Sequence, residues 1–146
     1  MNRSRSFRRR ALAAVASGCA LLIAGPGCAS VTTAVVAEPG VSFTLEPGQT
    51  AAVKGTDARI TFKTVRDDSR CPVDVTCVWE GDAKAEIVIS RDGAADETRI
   101  LSITAPNNEV RVGNLRIRFR SLAPVPRQAD PPASRKYRAE FVADQM

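Results

Sequence analysis

From Val41 onward, apolar and polar residues alternate in short runs broken by Gly, Pro, Asn and Asp. Val41, Phe43 and Leu45 share one face of a first strand, and Glu46-Pro47-Gly48 turns the chain. Thr50 to Val53 reads as a second strand, closed by Lys54-Gly55-Thr56-Asp57. In Ala58 to Val65, Ile60 and Phe62 oppose Arg59, Thr61 and Lys63, which predicts a half-buried strand. Ala83, Ala85, Ile87 and Ile89 alternate in the same way with Lys84, Glu86, Val88 and Ser90. Asp92-Gly93 is a hairpin signal leading into a strand over Glu97 to Ile103. After a turn at Ala105-Pro106-Asn107-Asn108, Val110 to Val112 and Leu115 to Arg120 form two more strands around Gly113-Asn114. Ala123 to Arg135 holds four prolines, reads as a surface loop wrapping one end of the domain, and precedes a last strand bearing Tyr137, Ala139 and Phe141.

No stretch past residue 30 repeats apolar residues at helical spacing. The pattern predicts an all-β domain, a small antiparallel β-sandwich or barrel of about seven or eight strands over residues 41–146. One long connection interrupts it, from Arg66 to Trp79, and this stretch holds Cys71, Cys77 and the chain's one tryptophan. Long ordered loops are usually functional or stapled.

The N-terminus follows a different pattern. Arg3, Arg5, Arg8, Arg9 and Arg10 precede an apolar and small-residue run from Ala11 to Ala24, shorter than a membrane span and placed as the core of a secretory signal. Residues 1–27 are read as a lipoprotein-type signal peptide and 28–40 as a tether that pairs as a strand in part. Two exits are open. Cleavage between Gly27 and Cys28 exposes Cys28 for lipidation, whereas cleavage after Ser30 releases a soluble protein. The expected location is therefore lipid-anchored at the cell membrane, or periplasmic or extracellular.

Removing those five arginines from the 21 basic residues leaves 16, against 16 acidic residues. The exported part is formally neutral, which offers no electrostatic case for a nucleic-acid partner. The expected partners are the membrane, through the N-terminal lipid, and an envelope protein or glycan.

With Cys19 in the signal and Cys28 lipidated or removed, Cys71 and Cys77 remain as an even pair in a disulfide-permissive compartment. C-x5-C is not a usual zinc spacing, and the chain contains no histidine. We expect a structural disulfide, no metal and no cofactor. A seven-residue ring closed by that bond contributes about 2 kcal/mol in the chain-entropy picture, and Pro72 restricts it further. A preordered ring costs less to immobilise on binding, so Arg70, Pro72, Val73, Asp74 and Trp79 are the candidate binding residues. Trp79 itself is expected to be largely buried as the anchor of the ring's exit.

The remaining chemistry is sparse. The absence of histidine removes the usual Ser-His and Cys-His mechanisms, and no G-x-S-x-G elbow is present. Asp67, Asp68, Asp74, Glu80 and Asp82 crowd the loop and could in principle serve acid–base chemistry or calcium. A solvated acidic rim is the expected arrangement. Arg116, Arg118 and Arg120 form a stripe that reads as the wet face of a strand, paired with Glu86 or Glu140 on neighbours.

The run Ser69-Arg70-Cys71-Pro72, with Val75, Cys77, Trp79, Gly81 and Ala83, then Leu122, Pro124, Pro126 and Tyr137, resembles a pattern in small exported bacterial proteins, largely of unknown function. That pattern is S-R-C-P-x-x-V-x-C-x-W-x-G-x-A, followed by L-x-P-x-P and a tyrosine-bearing final strand. Glu80 departs from it, standing where a small residue is expected. The resemblance spans residues 43–146, implies an all-β exported domain and brings no activity with it. The chain is accordingly expected to be a non-enzymatic binding or structural module of the cell envelope. Two alternatives stand beside this: an inhibitor of an extracellular hydrolase that presents Arg70 on the loop, and a hydrolase that uses carboxylates.

Overall fold

A computed structural model describes residues 34–146. The signal segment 1–27 and the lipidation candidate Cys28 lie outside the described residues.

The described residues form nine strands: β1 (Val35–Ala37), β2 (Ser42–Leu45), β3 (Thr50–Val53), β4 (Arg59–Asp68), β5 (Ala83–Ser90), β6 (Glu97–Ser102), β7 (Glu109–Val112), β8 (Leu115–Ala123) and β9 (Arg138–Gln145). They build two sheets, β1-β3-β4-β5-β6 and β2-β9-β8-β7. The predicted all-β sandwich is thus observed, with nine strands in place of seven or eight. The extra strand comes from the tether, where Val35–Ala37 pairs in parallel with Ala51–Val53.

Alternation supplies the core. In β5 the buried residues Ala83, Ala85, Ile87 and Ile89 face inward while the intervening side chains meet solvent. From the facing sheet come Leu45, Leu115, Ile117, Phe119 and Phe141. Phe141 ties the sheets together: its ring lies 5.4 Å from Phe119 and 6.1 Å from Phe43 within its own sheet, and 5.9 Å edge-on from Phe62 across the core. Such aromatic pairs add to the stabilisation from buried area alone.

Two strands depart from strict alternation, and both departures shape the end of the sandwich that carries the cysteine loop. β4 shifts register between Phe62 and Thr64 and again between Val65 and Asp67. Each extra residue moves the following side chains to the opposite face. Ile60 and Phe62 point inward, the first shift turns Val65 inward opposite Ala85, and the second turns Asp68 inward opposite Ala83. In β8 a shift between Phe119 and Ser121 leaves Arg120 unpaired and returns Leu122 to the core opposite Ala139.

Candidate functional site

The β4–β5 connection is a hairpin extended past its strands. Ser69 N–H donates to Asp82 O at 2.8 Å and Cys71 N–H to Glu80 O at 2.9 Å. Between these rungs Gly81 sits at φ +71°, so close to the opposite strand that a Cβ there would lie 1.8 Å from Ser69 O. Only glycine fits that position. Beyond the last rung, Cys71 and Cys77 are disulfide-bonded with their Cα atoms 5.9 Å apart.

The ring does not hang free. Val73 N–H donates to Pro126 O at 3.0 Å, and the Asp74 carboxylate accepts from Gln128 N–H at 2.9 Å. The proline-rich segment therefore wraps the same end of the sandwich and supports the ring along one side. Pro126 is fully buried beneath this contact. Pro72 is half-buried at the start of the ring, and Val75 N–H bonds back to Pro72 O at 3.3 Å.

The ring is fastened to the sandwich through Asp68. Its side chain is only 1% exposed and accepts from Arg70 Nε at 2.7 Å and Nη2 at 3.0 Å, Arg135 Nη1 at 2.7 Å and Tyr137 Oη at 3.1 Å. Burial opposes ionisation of Asp68, but its bonds to Arg70, with Tyr137 and Arg135, outweigh this and hold the carboxyl below its usual range. Arg70 also donates to Leu122 O and to Pro124 O, and Arg135 donates to Asp130 O at 2.7 Å. The hub thus joins the hairpin, the proline-rich segment and the start of β9. Asp82 forms a smaller clip to β6, accepting from Ser102 Oγ at 2.7 Å and Thr104 Oγ1 at 3.2 Å.

These placements correct several expectations. Arg70 is not an exposed prong: its side chain is 14% exposed and fully engaged by Asp68 and two carbonyls. The solvated rim holds only in part: Asp67, Asp74 and Glu80 are exposed, whereas Asp68 and Asp82 turn to separate sets of internal donors. Among the described residues, no three His, Cys, Asp or Glu side chains come together to hold a metal. The arginine stripe makes no close ion pair with Glu86 or Glu140, although the pKa of Glu140, lowered first by its bonds to Ser121 and Ser42, is lowered further by the charge of Arg120. Arg116 and Arg118 share Asp144 on the adjacent strand, at 3.2 and 2.8 Å, while Glu86 pairs with Arg66 and Glu140 accepts from Ser121.

The largest correction concerns Trp79, which is 82% exposed. The staple, Gly81 and the Asp68 hub already fix the ring's exit, so the indole is not needed as an anchor. Its chain neighbour Val78 is 90% exposed, and Val73 in the ring and Val125 in the proline-rich segment are each more than half exposed. An open cleft of about 560 Å³ lies at this end between Glu80, Gly81, Thr104, Asn108 and Val125. The cysteine spacing and the resemblance both drew attention to this end. The hub was missed because Arg135 and Tyr137 are remote in sequence, and the only local signal was Asp68 and Arg70 two residues apart.

Compared with protein-family models, with characterised proteins and with solved structures, the chain matches none.

Proposed function

We propose that this chain is an exported, lipid-anchored β-domain of the cell envelope that works by binding, with the Cys71–Cys77 ring and Trp79 as its working surface. One observation carries the reading: the single indole is held 82% exposed on a loop that a disulfide, a glycine turn and a buried carboxylate all immobilise. Exposed tryptophan on a rigid support is the usual form of a binding hot spot, because little side-chain freedom is lost when it is covered. The disulfide supports an oxidising compartment, and the signal-like N-terminus and the motif resemblance support export. A non-enzymatic role rests on the missing histidine and on the internal use of Asp68 and Asp82.

Arg70, held down by Asp68, leaves the hydrolase-inhibitor alternative without its contact residue. The binding reading is tested by placing a photo-crosslinking residue at position 78 of the full chain and illuminating cells in which it is produced. An adduct with an envelope component, weakened by Trp79→Ala, supports the reading. Absence of any adduct, with the protein folded and exported, sinks it.

A further inference from the structure

Among the described residues, the loop end of the sandwich carries the most exposed apolar side chains, Val78 and Trp79, and the direction of β1 bears on what this end faces. Val35, the first residue of β1, is level with Ala51, which in turn is level with Ile60. The chain runs from Val35 toward Ala37 in the direction that leads from Ile60 back toward Ala58, away from the cysteine ring. The N-terminal end of β1 is therefore its end nearer the ring. Cys28 is seven residues earlier, and an extended chain of that length spans at most about 25 Å.

The distance to the ring is longer than this tether. From Ile89, opposite Ile60, to Glu80, opposite Cys71, β5 and its extension cover nine residues, or about 30 Å at 3.3 Å per residue. The backbone of Cys28 therefore cannot pass the level of the ring. With the loop end turned toward the bilayer, Trp79 meets the membrane before the tether is fully extended.

The two ends of the sandwich differ in what they offer a bilayer. At the far end, the turns carry Lys54, Asp57, Asp92 and Asp96, with Val41 and Met146 as exposed apolar residues and no aromatic. The loop end presents Trp79, Val78, Val73 and Val125, with Asp74, Glu80, Arg127 and Asp130 also exposed there. Tryptophan is the residue favoured at the boundary between headgroups and acyl chains, where its ring is buried and its N–H stays wet.

We propose that the Trp79 tip docks into the lipid surface of the membrane that holds the Cys28 anchor, seating the domain loop-end down. This rests on the lipid-anchor reading above. Glu80 is exposed beside the indole, and Asp74 lies in the ring, so the docking is apolar and does not require anionic lipid.

The test uses the full chain, purified from membranes and reconstituted into phosphatidylcholine vesicles with and without brominated acyl chains. Trp79 is the only tryptophan in the chain, so its emission reports the tip alone. Mass analysis of the N-terminal peptide shows whether Cys28 is acylated. The expected result is an acylated protein whose emission is blue-shifted and quenched about twofold or more, since interfacial side chains sit roughly 5–10 Å into the headgroup boundary. Val78→Asp should restore unquenched emission while leaving the melt unchanged. Adding anionic lipid should not increase quenching; a strong increase would overturn the apolar mode. An acylated protein with water-exposed, unquenched emission overturns the docking and leaves the anchor standing. An unacylated Cys28 overturns both. Burial of Trp79 in native envelope vesicles but not in pure lipid assigns the tip to a protein partner and overturns the lipid assignment.

Discussion

Asp68 receives a two-pronged ion pair from Arg70, at 2.7 and 3.0 Å, at a point where its side chain is 1% exposed. The second register shift in β4 makes this possible. Without it Asp68 would face solvent, and the hairpin would have no internal hold on the proline-rich segment. Arg135, 6% exposed, completes the pairing from the other side. Removing the carboxylate leaves two poorly solvated guanidinium groups without their counter-charge. Asp68→Ala is therefore expected to lower stability by about 3–5 kcal/mol, the usual cost of breaking a buried ion pair by deleting one partner. Denaturant melts measure this, and a loss below about 1 kcal/mol would show that the hub is not a structural tie.

The same hub sets the response to pH. Burial works against ionised Asp68, yet Arg70, Tyr137 and Arg135 together depress its pKa, and Asp82 is depressed by Ser102, Ala83 N–H and Thr104 against the same opposition. For a depressed carboxyl the stabilisation is fully present above the unfolded value, about 3.9, and is lost as pH falls through the lower folded value. Tyr137 behaves in the opposite sense. Burial and the Asp68 charge raise its pKa despite Arg135, so the folded state holds the phenolic proton more tightly. Stability should fall as pH rises above about 10. Melts across pH should show both declines. Asp68→Asn should flatten the acid arm and Tyr137→Phe the alkaline one; arms of unchanged slope would place the responsible groups elsewhere.

Gly81 and Gly93 separate backbone strain from steric clash. Both have positive φ, +71° and +74°, but a Cβ at Gly81 would strike Ser69 O whereas one at Gly93 meets nothing within 4 Å. Gly93→Ala should cost about 1–2 kcal/mol, the left-handed penalty alone. Gly81→Ala must add to that the parting of the Ser69–Asp82 and Cys71–Glu80 rungs, each about 1 kcal/mol. Equal melts for the two variants would contradict the close approach.

Much of this architecture was legible because period-two alternation survives in short strands. Val41 to Leu45 and Ala83 to Ser90 match their strands within a residue for that reason, and the strand begun at Leu115 runs three residues past Arg120. Alternation failed where the backbone bulges. β4 was expected to end at Val65 because the pattern breaks there, yet the strand continues to Asp68 through two register shifts. Those shifts bury the carboxylate, so the hub was invisible for the same reason the strand seemed to stop. The disulfide was readable from cysteine counting. The exposure of Trp79 was not, since hydrophobicity predicts burial only until other contacts have already fixed the chain.

Trp79→Ala tests that last point. A buried tryptophan costs about 3–5 kcal/mol when truncated, but a surface substitution usually stays within about 0.5 kcal/mol. With 82% of the residue exposed, the second figure applies. The purified protein in solution should also show the emission of a water-exposed indole. A cooperative loss of several kcal/mol on truncation would mean that the ring closes over Trp79.

Removing the staple distinguishes folding of the sandwich from ordering of its tip. The buried core contains no residue between Cys71 and Cys77, so Cys71→Ser with Cys77→Ser should leave a folded domain. Opening a seven-residue ring should lower stability by about 2 kcal/mol, chiefly by freeing the unfolded chain. The Val73–Pro126 and Asp74–Gln128 hydrogen bonds would then be all that holds the ring to its support, and each is worth about 1 kcal/mol net. The segment carrying Trp79 should therefore become mobile on the nanosecond scale while the strands stay ordered. Tryptophan anisotropy, together with a denaturant melt, reads both effects. Expected are a lower midpoint and a lower anisotropy with near-native strand content. Unchanged anisotropy in the serine variant would show that the proline-rich segment, not the disulfide, keeps the indole in place.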